Sequence, residues 1–421
     1  MENTAKKIRK MKIKMENQNK PENFFESIYV HIPFCEIKCP YCDFNAYSDV
    51  DHLTENLINS IEKEIVYWGT LFKNQKIKSI FFGGGTPSWI ESKYIQNIIK
   101  IIKENFNLNK DIEITLESNP MDLTKTKIDD YLHSGINRFS VGIQSLNDKT
   151  LKFIGRNHNR KEALKALKNL NDKKANNFSV DIMFGIPYQT VAEIKETVET
   201  LIKFNPTHFS SYSFTIEPNT PFHKFVKEKK IKELDEDIYI DIFNTIYSIL
   251  KNNNYINYEI SNWALKGYES THNTNYWDNN NFLGVGPGAH SYINEIRFSN
   301  TKSPKKYIEQ IEKCKNNNNL QIHNFNEFIK TINFIYDHEI ITKDAKQKEY
   351  IIFSLRKNTG LSKSGFKKEF NEDIEKFLPE NLNNFIDYNL IKTDEDIIKL
   401  TDKGKLLSNE LFREILYPSG K

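Results

Sequence analysis

The sequence predicts an α/β protein, a partial (β/α)6 barrel followed by a C-terminal winged-helix-like α+β domain. Three observations support this prediction. Short apolar runs alternate with amphipathic helical patterns over about the first 225 residues. Cysteine, glycine and acidic signals follow several of those runs, and ligands gather at the carboxyl ends of parallel strands. Beyond that region the pattern changes to helices with one small hairpin.

Six apolar runs of strand length occur in the first part of the chain. In the segments between them, apolar residues recur at i, i+3, i+4 and i+7, which is typical of amphipathic helices. Strands that alternate with helices imply right-handed crossovers and a parallel sheet. In order, the runs are SIYVHIPF, IKSIFFGG, DIEITLES, RFSVGIQS, FSVDIMFGI and HFSSYSFTI.

Composition and pattern shifts predict a division into five parts. The start is basic and polar, with no apolar or arginine-rich targeting pattern. The last part has mixed charges and no basic stripe, which favours a small structural domain over a nucleic-acid-binding one. The expected parts are a disordered basic tail (1–25), the partial barrel (26–225), a barrel extension (226–300), an Asn- and Lys-rich linker region (301–340) and the winged-helix-like domain (341–421).

Length and charge exclude several classes of protein. A chain of 421 residues with a hydrophobic fraction of 38% can bury a sizeable core and hold more than one domain. Its net charge of +3 creates no field of one sign that would mark a nucleic-acid or acidic-membrane binder. Because no apolar run approaches the roughly twenty residues of a membrane span, we expect a cytoplasmic protein.

Three of the four cysteines, Cys35, Cys39 and Cys42, lie in the stretch HIPFCEIKCPYCDFNAY. Such a cluster in a long chain indicates metal or redox chemistry and not a disulfide framework. A structural zinc site needs four protein ligands, and His31 would be a cramped fourth. A cubane iron-sulfur cluster on three cysteines keeps one iron open for another ligand. The spacing favours the cluster over zinc, and both over inert core cysteines.

Motifs in a fixed order resemble the radical S-adenosylmethionine (SAM) superfamily. They are C-x3-C-x2-C after the first strand, GGGTP after the second, E-x-N-P after the third and GIQS after the fourth. Longer stretches, over nearly the whole chain after residue 26, resemble the branch of oxygen-independent coproporphyrinogen III oxidases and heme chaperones. These stretches are YVHIPFCEIKCPYCDFN, VGIQSLNDKTLKFIGRNH, DIMFGIPYQT, TIEPNTPF, EISNWA, HNTNYW and GVGPGAHSY.

The resemblance implies that the three cysteines hold a [4Fe-4S] cluster and that SAM binds its open iron. It also implies a SAM pocket in which acidic side chains suit hydroxyls or an ammonium, arginine suits a carboxylate, and glycines let the backbone approach the ligand. Taken singly, each of these residues is more typical of a turn, a strand end or core packing. The pocket positions are Tyr29, Tyr41, Gly84, Gly85, Thr86, Glu117, Gln144, Arg156 and Asp181.

The hexapeptide HNTNYW matches a motif, H-N-x-x-Y-W, that is associated with heme binding in the chaperones. Alone, it is more typical of a turn packed on a core. With the resemblance, His272 is implied as an axial ligand of heme iron, and two aromatic rings as packing partners of the porphyrin. His290 is a second candidate, although packing is its simpler explanation. The implied heme residues are His272, Asn273, Tyr276 and Trp277.

Two functions remain open, with a third in reserve. In the oxidases a further cysteine follows two residues after the third, and here that position is Phe44. This difference and HNTNYW favour a heme chaperone that lacks oxidase activity. It would pass heme to an acceptor hemoprotein, plausibly a membrane-associated respiratory enzyme, and is compatible with a homodimer. The alternatives are radical decarboxylation of a porphyrinogen propionate and, less favoured by the mixed charge, nucleic-acid binding with a structural metal.

Overall fold

The computed structural model describes residues 24–314 and 325–417. In these ranges the strands form one large and one small sheet. The large sheet contains β1 (Ser27–Ile32), β2 (Lys76–Gly84), β3 (Asn107–Ser118), β4 (Arg138–Gln144), β5 (Phe178–Phe184), β6 (His208–Ser213), β7 (Ile256–Asn257), β8 (Asn262–Ala264), β9 (Phe282–Val285), β10 (His290–Ile293), β11 (Ile296–Asn300) and β12 (Ile335–Ile340). The small sheet contains β13 (Leu361–Ser362), β14 (Ile391–Thr393) and β15 (Ile397–Leu400).

Helices connect most of the strands, and many begin at a polar residue that caps the free N–H groups. Asn159 and Glu162, for example, form a capping box at the start of the fifth helix. The helices are α1 (Thr54–Leu71), α2 (Ser92–Asn105), α3 (Lys125–Ser134), α4 (Asp148–Phe153), α5 (Arg160–Asp172), α6 (Val191–Ile202), α7 (Pro221–Lys227), α8 (Glu236–Asn252), α9 (Thr271–Trp277), α10 (Pro304–Lys313), α11 (Phe325–Ile329), α12 (Lys343–Arg356), α13 (Lys363–Phe370), α14 (Leu382–Asp387), α15 (Asp402–Leu406) and α16 (Ser408–Leu416).

Strands β1 to β6 lie side by side in chain order and are all parallel. Helices form the crossover connections between these strands, as the alternating pattern predicts. The sheet is open, because its described edges are β12 and β7 and do not pair with each other. The predicted partial (β/α)6 barrel is therefore confirmed, and its strand ends form one rim.

Later strands extend the sheet on both sides. β9 pairs in parallel with β1, and β10, β11 and β12 follow in antiparallel order. On the other side β8 and then β7 join β6 in antiparallel order. The apolar core lies between this sheet and its helices, and Trp68 of α1 is one of its largest fully buried side chains. None of the described helices is long and apolar enough to cross a membrane.

Two segments that the sequence assigns to a linker and a tail contribute to this domain. In 301–340, α10 buries Tyr307 and Ile311 next to α1, and β12 pairs with β11. Most of its Asn-rich run, 315–324, lies outside the described residues. Most of the predicted tail lies outside the described residues, but Phe25 is buried against Phe72. These described parts belong to the α/β domain for the physical reason that they pack in its core or sheet.

The C-terminal domain has its own core beneath the small sheet, whose strand order is β13, β15, β14. Ile351, Leu361 and Phe366 are fully buried in it. Helices α12 and α13 flank the first strand, and a hairpin of β14 and β15 follows α14, so the order of elements is winged-helix-like, as predicted. The domain contacts the α/β domain at α9, since Trp277 stacks on Arg356 of α12 with 4.3 Å from ring centre to guanidinium carbon.

Candidate functional site

A cavity of about 620 Å³ lies inside the partial barrel. Its wall contains residues from β1 to β6, from the loop after β1 and from α9. All but one of the residues predicted to bind the cluster, SAM or heme line it. They are Tyr29, Cys35, Cys39, Tyr41, Cys42, Gly84, Gly85, Thr86, Glu117, Gln144, Arg156, Asp181, His272, Asn273 and Tyr276.

The loop after β1 presents the three cysteine thiols to the cavity. Cys35 Sγ lies 3.4 Å from Thr86 Oγ1, and Cys39 Sγ lies 3.6 Å from the carbonyl oxygen of Gly155. Burial raises the pKa of Cys42 to about 11 and also raises that of Cys35. Since metals bind the thiolate, iron would displace protons from these buried thiols. Three half-buried thiols in one loop fit the donor set of a cluster with one open iron.

His31 has both ring nitrogens occupied away from the thiols. Nδ1 forms a hydrogen bond of 3.0 Å with the Tyr29 hydroxyl, and Nε2 one of 2.9 Å with the carbonyl oxygen of Asn45. In the described part of the chain, no group of three or more His, Cys, Asp or Glu residues is arranged around a single metal ion. This arrangement gives no support to a zinc site with His31 as the fourth ligand.

The glycines after β2 are required by their neighbours. A β-carbon on Gly85 would lie 2.5 Å from the backbone oxygen of Phe34, and one on Gly84 would lie 2.6 Å from the His31 ring. Gly84 also has a positive φ of 111°, which side chains disfavour. The family resemblance implies that these glycines let a ligand approach the backbone closely. The structure gives a second reason, because they let this strand end pack against the start of the cysteine loop.

Glu117 and Asp181 add two half-buried carboxyl groups to the cavity wall. Burial and, to a smaller extent, the charge of the neighbouring Asp181 raise the pKa of Glu117 to about 8. Burial also raises the pKa of Asp181, although hydroxyl groups of Ser140 and Ser179 donate to it at 2.8 and 3.0 Å. Both carboxyls can accept hydrogen bonds from ligand hydroxyl or ammonium groups once ionised.

Gln144 and Arg156 complete the predicted SAM pocket near the cysteines. Gln144 ends β4 with a φ of 65°, and such a left-handed residue at a strand end is typical of ligand sites. Arg156 Nη2 donates to the carbonyl oxygen of Gly142 at 2.9 Å, and its Nη1 lies 3.9 Å from Cys39 Sγ. The Arg156 Nε atom is buried without a partner. An orphaned guanidinium N–H beside the cysteine loop fits a carboxylate ligand.

The two predicted tyrosines, Tyr29 and Tyr41, line this pocket from β1 and from the cysteine loop. Tyr29 is half-buried on β1, where its hydroxyl forms a hydrogen bond with His31 and its ring stacks on Phe81. Tyr41 lies within the cysteine loop, and its ring packs edge-on against Phe214. Phe44, two residues after the third cysteine, lines the cavity and is 66% exposed. The loop therefore carries an aromatic ring into solvent at the cavity mouth.

Helix α9 carries the motif HNTNYW. Part of the motif faces the cavity, and Trp277 faces the C-terminal domain. His272 faces the cavity and is 1% exposed, with Nδ1 bonded to Ser79 Oγ at 2.9 Å and Nε2 to the Tyr276 hydroxyl at 2.8 Å. Burial lowers the pKa of His272 to about 3. Trp277 is not among the cavity-lining residues, since it packs on Arg356 and Phe353. The structure thus separates Trp277 from the other predicted heme residues.

His290, the second heme candidate, lies on β10 and is likewise not among the residues that line the cavity. Several lining residues were missed by the sequence reasoning. On β4, Arg138 and Ser140 share the inward face with Gly142 and Gln144, and on β3 Thr115 shares it with Glu117. Counting back in steps of two from the predicted residues would have found them, because alternate strand residues share a face.

Family models match two parts of the chain. The model of the radical SAM superfamily matches residues 29–201, and the model of the HemN C-terminal domain matches residues 341–407. The structure of coproporphyrinogen III oxidase (HemN) from Escherichia coli superposes with a TM-score of 0.78, covering 94% of this chain and 91% of that one. At 23% identity this likeness shows the shared fold.

Curated relatives match over almost their whole length. Heme chaperone HemW of Bacillus subtilis is 31% identical over 392 residues, which cover 93% of this chain and 99% of that protein. Heme chaperone HemW of Buchnera aphidicola subsp. Schizaphis graminum is 34% identical over 399 residues, with 93% and 98% covered. From this sequence similarity, together with the radical SAM fold and the HemN-type C-terminal domain, it follows that the chain belongs to the HemW family of the radical SAM superfamily.

Proposed function

We propose that this protein is a heme chaperone of the cytoplasm. It binds heme and a [4Fe-4S] cluster with exchangeable SAM, and it transfers heme to an acceptor hemoprotein such as a membrane-associated respiratory enzyme. The names of its full-length relatives support the chaperone role. Ile37 and Phe44 are exposed apolar side chains at the cavity mouth. They support a surface that contacts the acceptor hemoprotein during heme transfer, or a second copy of the chain in a homodimer.

The observation that carries the proposal is that His272 and Tyr276 line the same cavity as the three cysteines. With a pKa of about 3, the His272 imidazole is neutral at physiological pH, and the neutral ring is the form that ligates iron. Ligation through Nε2 would replace its bond to the Tyr276 hydroxyl, while Nδ1 stays bonded to Ser79. The histidine would then be held in place by a second hydrogen bond, as metal-binding histidines usually are.

The proposed cofactor site follows from the family and from the fit of the residues. Cys35, Cys39 and Cys42 would hold the cluster, which when bound supplies an open iron for the methionine part of SAM. Arg156 would bind the SAM carboxylate through its unpartnered Nε, and Glu117 would accept hydrogen bonds from SAM. Partial burial of these groups lowers the local dielectric constant and strengthens each interaction.

The alternative function is that of an oxygen-independent coproporphyrinogen III oxidase. The likeness in fold to HemN is compatible with it. Phe44 argues against it, because an exposed ring at the cavity mouth takes the position where the oxidases have a further cysteine. The two functions differ in a measurable product, since the oxidase would form protoporphyrinogen and the chaperone would return heme unchanged.

The test is a heme titration of anaerobically purified, cluster-reconstituted protein, read by the heme absorbance band and by iron content. We expect one heme per chain for the wild type. His272→Ala should weaken binding at least tenfold, since it removes the iron ligand, and should leave the cluster spectrum intact. His290→Ala is the matched control, because it removes a histidine that does not line the cavity.

A second arm uses SAM, a reductant and coproporphyrinogen III. Protoporphyrinogen formation by the wild type would contradict the chaperone as sole function, and Phe44→Cys shows whether the missing cysteine limits turnover. Heme binding that is unchanged in His272→Ala would remove this histidine from the site. A protein with full cluster iron and no heme binding would overturn the proposed function.

A further inference from the structure

Arg138, the first residue of β4, is a buried cation with one hydrogen bond. Its side chain lines the cavity and is 3% exposed. Nη1 donates to the carbonyl oxygen of Tyr268 at 3.1 Å, and Arg138 takes part in no ion pair within residues 24–314 and 325–417. A guanidinium carries five N–H donors, and a buried charge is costly unless an anion pairs with it. Arg138 thus presents unused donors to the cavity.

The carboxylates around Arg138 are bonded to other groups. Burial raises the pKa of Asp181 and the charge of Arg138 opposes that rise, but the oxygens of Asp181 accept hydrogen bonds from the hydroxyls of Ser140 and Ser179. Glu113 accepts from the backbone N–H groups at the start of α9, with 3.0 Å to His272 N. The protein therefore supplies partial electrostatic compensation for this arginine and no direct carboxylate partner among the described residues.

A second polar group beside Arg138 is also unpaired. Thr115 lies next to Arg138 in the register between β3 and β4, and it too lines the cavity. Its Oγ1 atom is buried without a hydrogen-bond partner. Buried hydroxyls are nearly always paired in native proteins. A guanidinium and a hydroxyl from paired positions of one cavity wall offer donors to both oxygens of one carboxylate.

We propose that Arg138 and Thr115 form a carboxylate subsite that binds a propionate of the porphyrin. The inference rests on the proposed function and names how the cavity recognises its ligand. Tyr268, to which Arg138 is bonded, lies on the loop that leads into α9, and α9 carries His272. An iron ligand and a propionate partner thus belong to one end of the cavity. SAM also has a carboxylate, but its predicted partner, Arg156, lies beside Cys39.

The experiment compares iron-free protoporphyrin IX with its dimethyl ester on cluster-loaded protein, by fluorescence titration. Without iron, the comparison does not depend on ligation by His272. The wild type should bind the acid about tenfold or more tightly than the ester, as for a lost charged hydrogen bond. Arg138→Gln should abolish this preference, Thr115→Val should reduce it, and Arg138→Lys should retain part of it. SAM affinity should be unchanged in all three.

Arg156→Gln is the matched control, with the opposite pattern of weaker SAM binding and an unchanged preference for the acid. Equal binding of acid and ester by the wild type, or a preference that survives in both Arg138→Gln and Thr115→Val, would overturn the subsite alone. Loss of SAM binding in Arg138→Gln would also overturn it, by assigning Arg138 to SAM. If the wild type bound heme but neither iron-free porphyrin, the subsite alone would be overturned; failure to bind heme as well would overturn the proposed function and the subsite with it.

Discussion

Glu64 of α1 is a fully buried carboxyl that joins three parts of the α/β domain. It accepts hydrogen bonds from Trp68 Nε1 at 3.1 Å, from Gly286 N at 2.8 Å and from Asn300 Nδ2 at 2.8 Å, and the Tyr307 hydroxyl also donates to it. Burial outweighs these bonds and raises its pKa from 4.5 to about 7. This carboxyl therefore titrates near neutral pH.

The raised pKa predicts a pH-dependent stability. From about pH 4.5 to 7 the unfolded chain releases the Glu64 proton while the folded chain keeps it, so this group makes stability fall as pH rises. Glu64→Gln cannot titrate. Its free energy of unfolding relative to wild type should therefore shift in the variant's favour by about 3 kcal/mol between pH 4.5 and pH 8. Urea unfolding at the two pH values measures this shift.

Glu104→Gln, at an exposed position of α2, is the control for this measurement. The free energy of unfolding of Glu104→Gln relative to wild type should change by no more than about 0.5 kcal/mol over the same pH range. If the free energy of unfolding of Glu64→Gln relative to wild type were the same at both pH values, the Glu64 carboxyl would not have the raised pKa that its burial implies.

At the scale of elements, α9 is held at both ends by the rest of the protein. Glu113 of β3 accepts from the N–H groups of Thr271 and His272, and Trp277 packs on Arg356 of the C-terminal domain. The Trp277 Nε1 atom is buried without a partner. These contacts make Trp277 a link between the motif helix and the C-terminal domain.

Trp277→Phe should therefore affect stability and leave ligand affinity alone. Loss of the stacked guanidinium contact should lower the free energy of unfolding by about 1 kcal/mol. Heme affinity should stay within about threefold of wild type, because Trp277 does not line the cavity. Denaturant unfolding and heme titration of the same sample check both parts. Heme binding weakened tenfold or more would return Trp277 to the heme site.

The sequence predicts the parallel elements well because their signals are local. Alternating apolar runs and helical patterns give β1 to β6, and the motifs at their ends give most of the cavity wall. The partners of β9 could not be predicted, since a short apolar run does not show which strand it joins. The position of Trp277 outside the cavity lining could not be predicted, because sequence proximity to His272 does not show which face of α9 a side chain occupies.

At the scale of the whole molecule, Lys405 of α15 connects the C-terminal domain to the α/β domain. It is 5% exposed, and its Nζ donates to Asn257 Oδ1 at 2.7 Å and to the Tyr247 hydroxyl. Asp402 Oδ1 lies 3.3 Å from the same nitrogen. A buried lysine with these partners fixes how the two domains meet, since one charged donor binds acceptors from both of them.

Lys405→Met should weaken this contact while it keeps a side chain of similar size. Loss of the charged hydrogen bonds should lower the free energy of unfolding by about 2 kcal/mol, and trypsin should cleave between the domains faster. Lys403→Met, on the same helix, is the control, because Lys403 is exposed and donates to Tyr388 within the C-terminal domain. Equal protease resistance in the two variants would show that Lys405 does not hold the domains together.

The pairing of β9 with β1 has a consequence for the order of assembly during synthesis. The cysteine loop follows the first strand, yet Asn45 of that loop donates to the carbonyl oxygens of Pro287 and Lys302, more than two hundred residues later. A nascent chain emerging from the ribosome has its three thiols long before it has these anchors. The loop forms its last hydrogen bonds only after Lys302 is made, so we expect iron to be loaded after synthesis of the α/β domain.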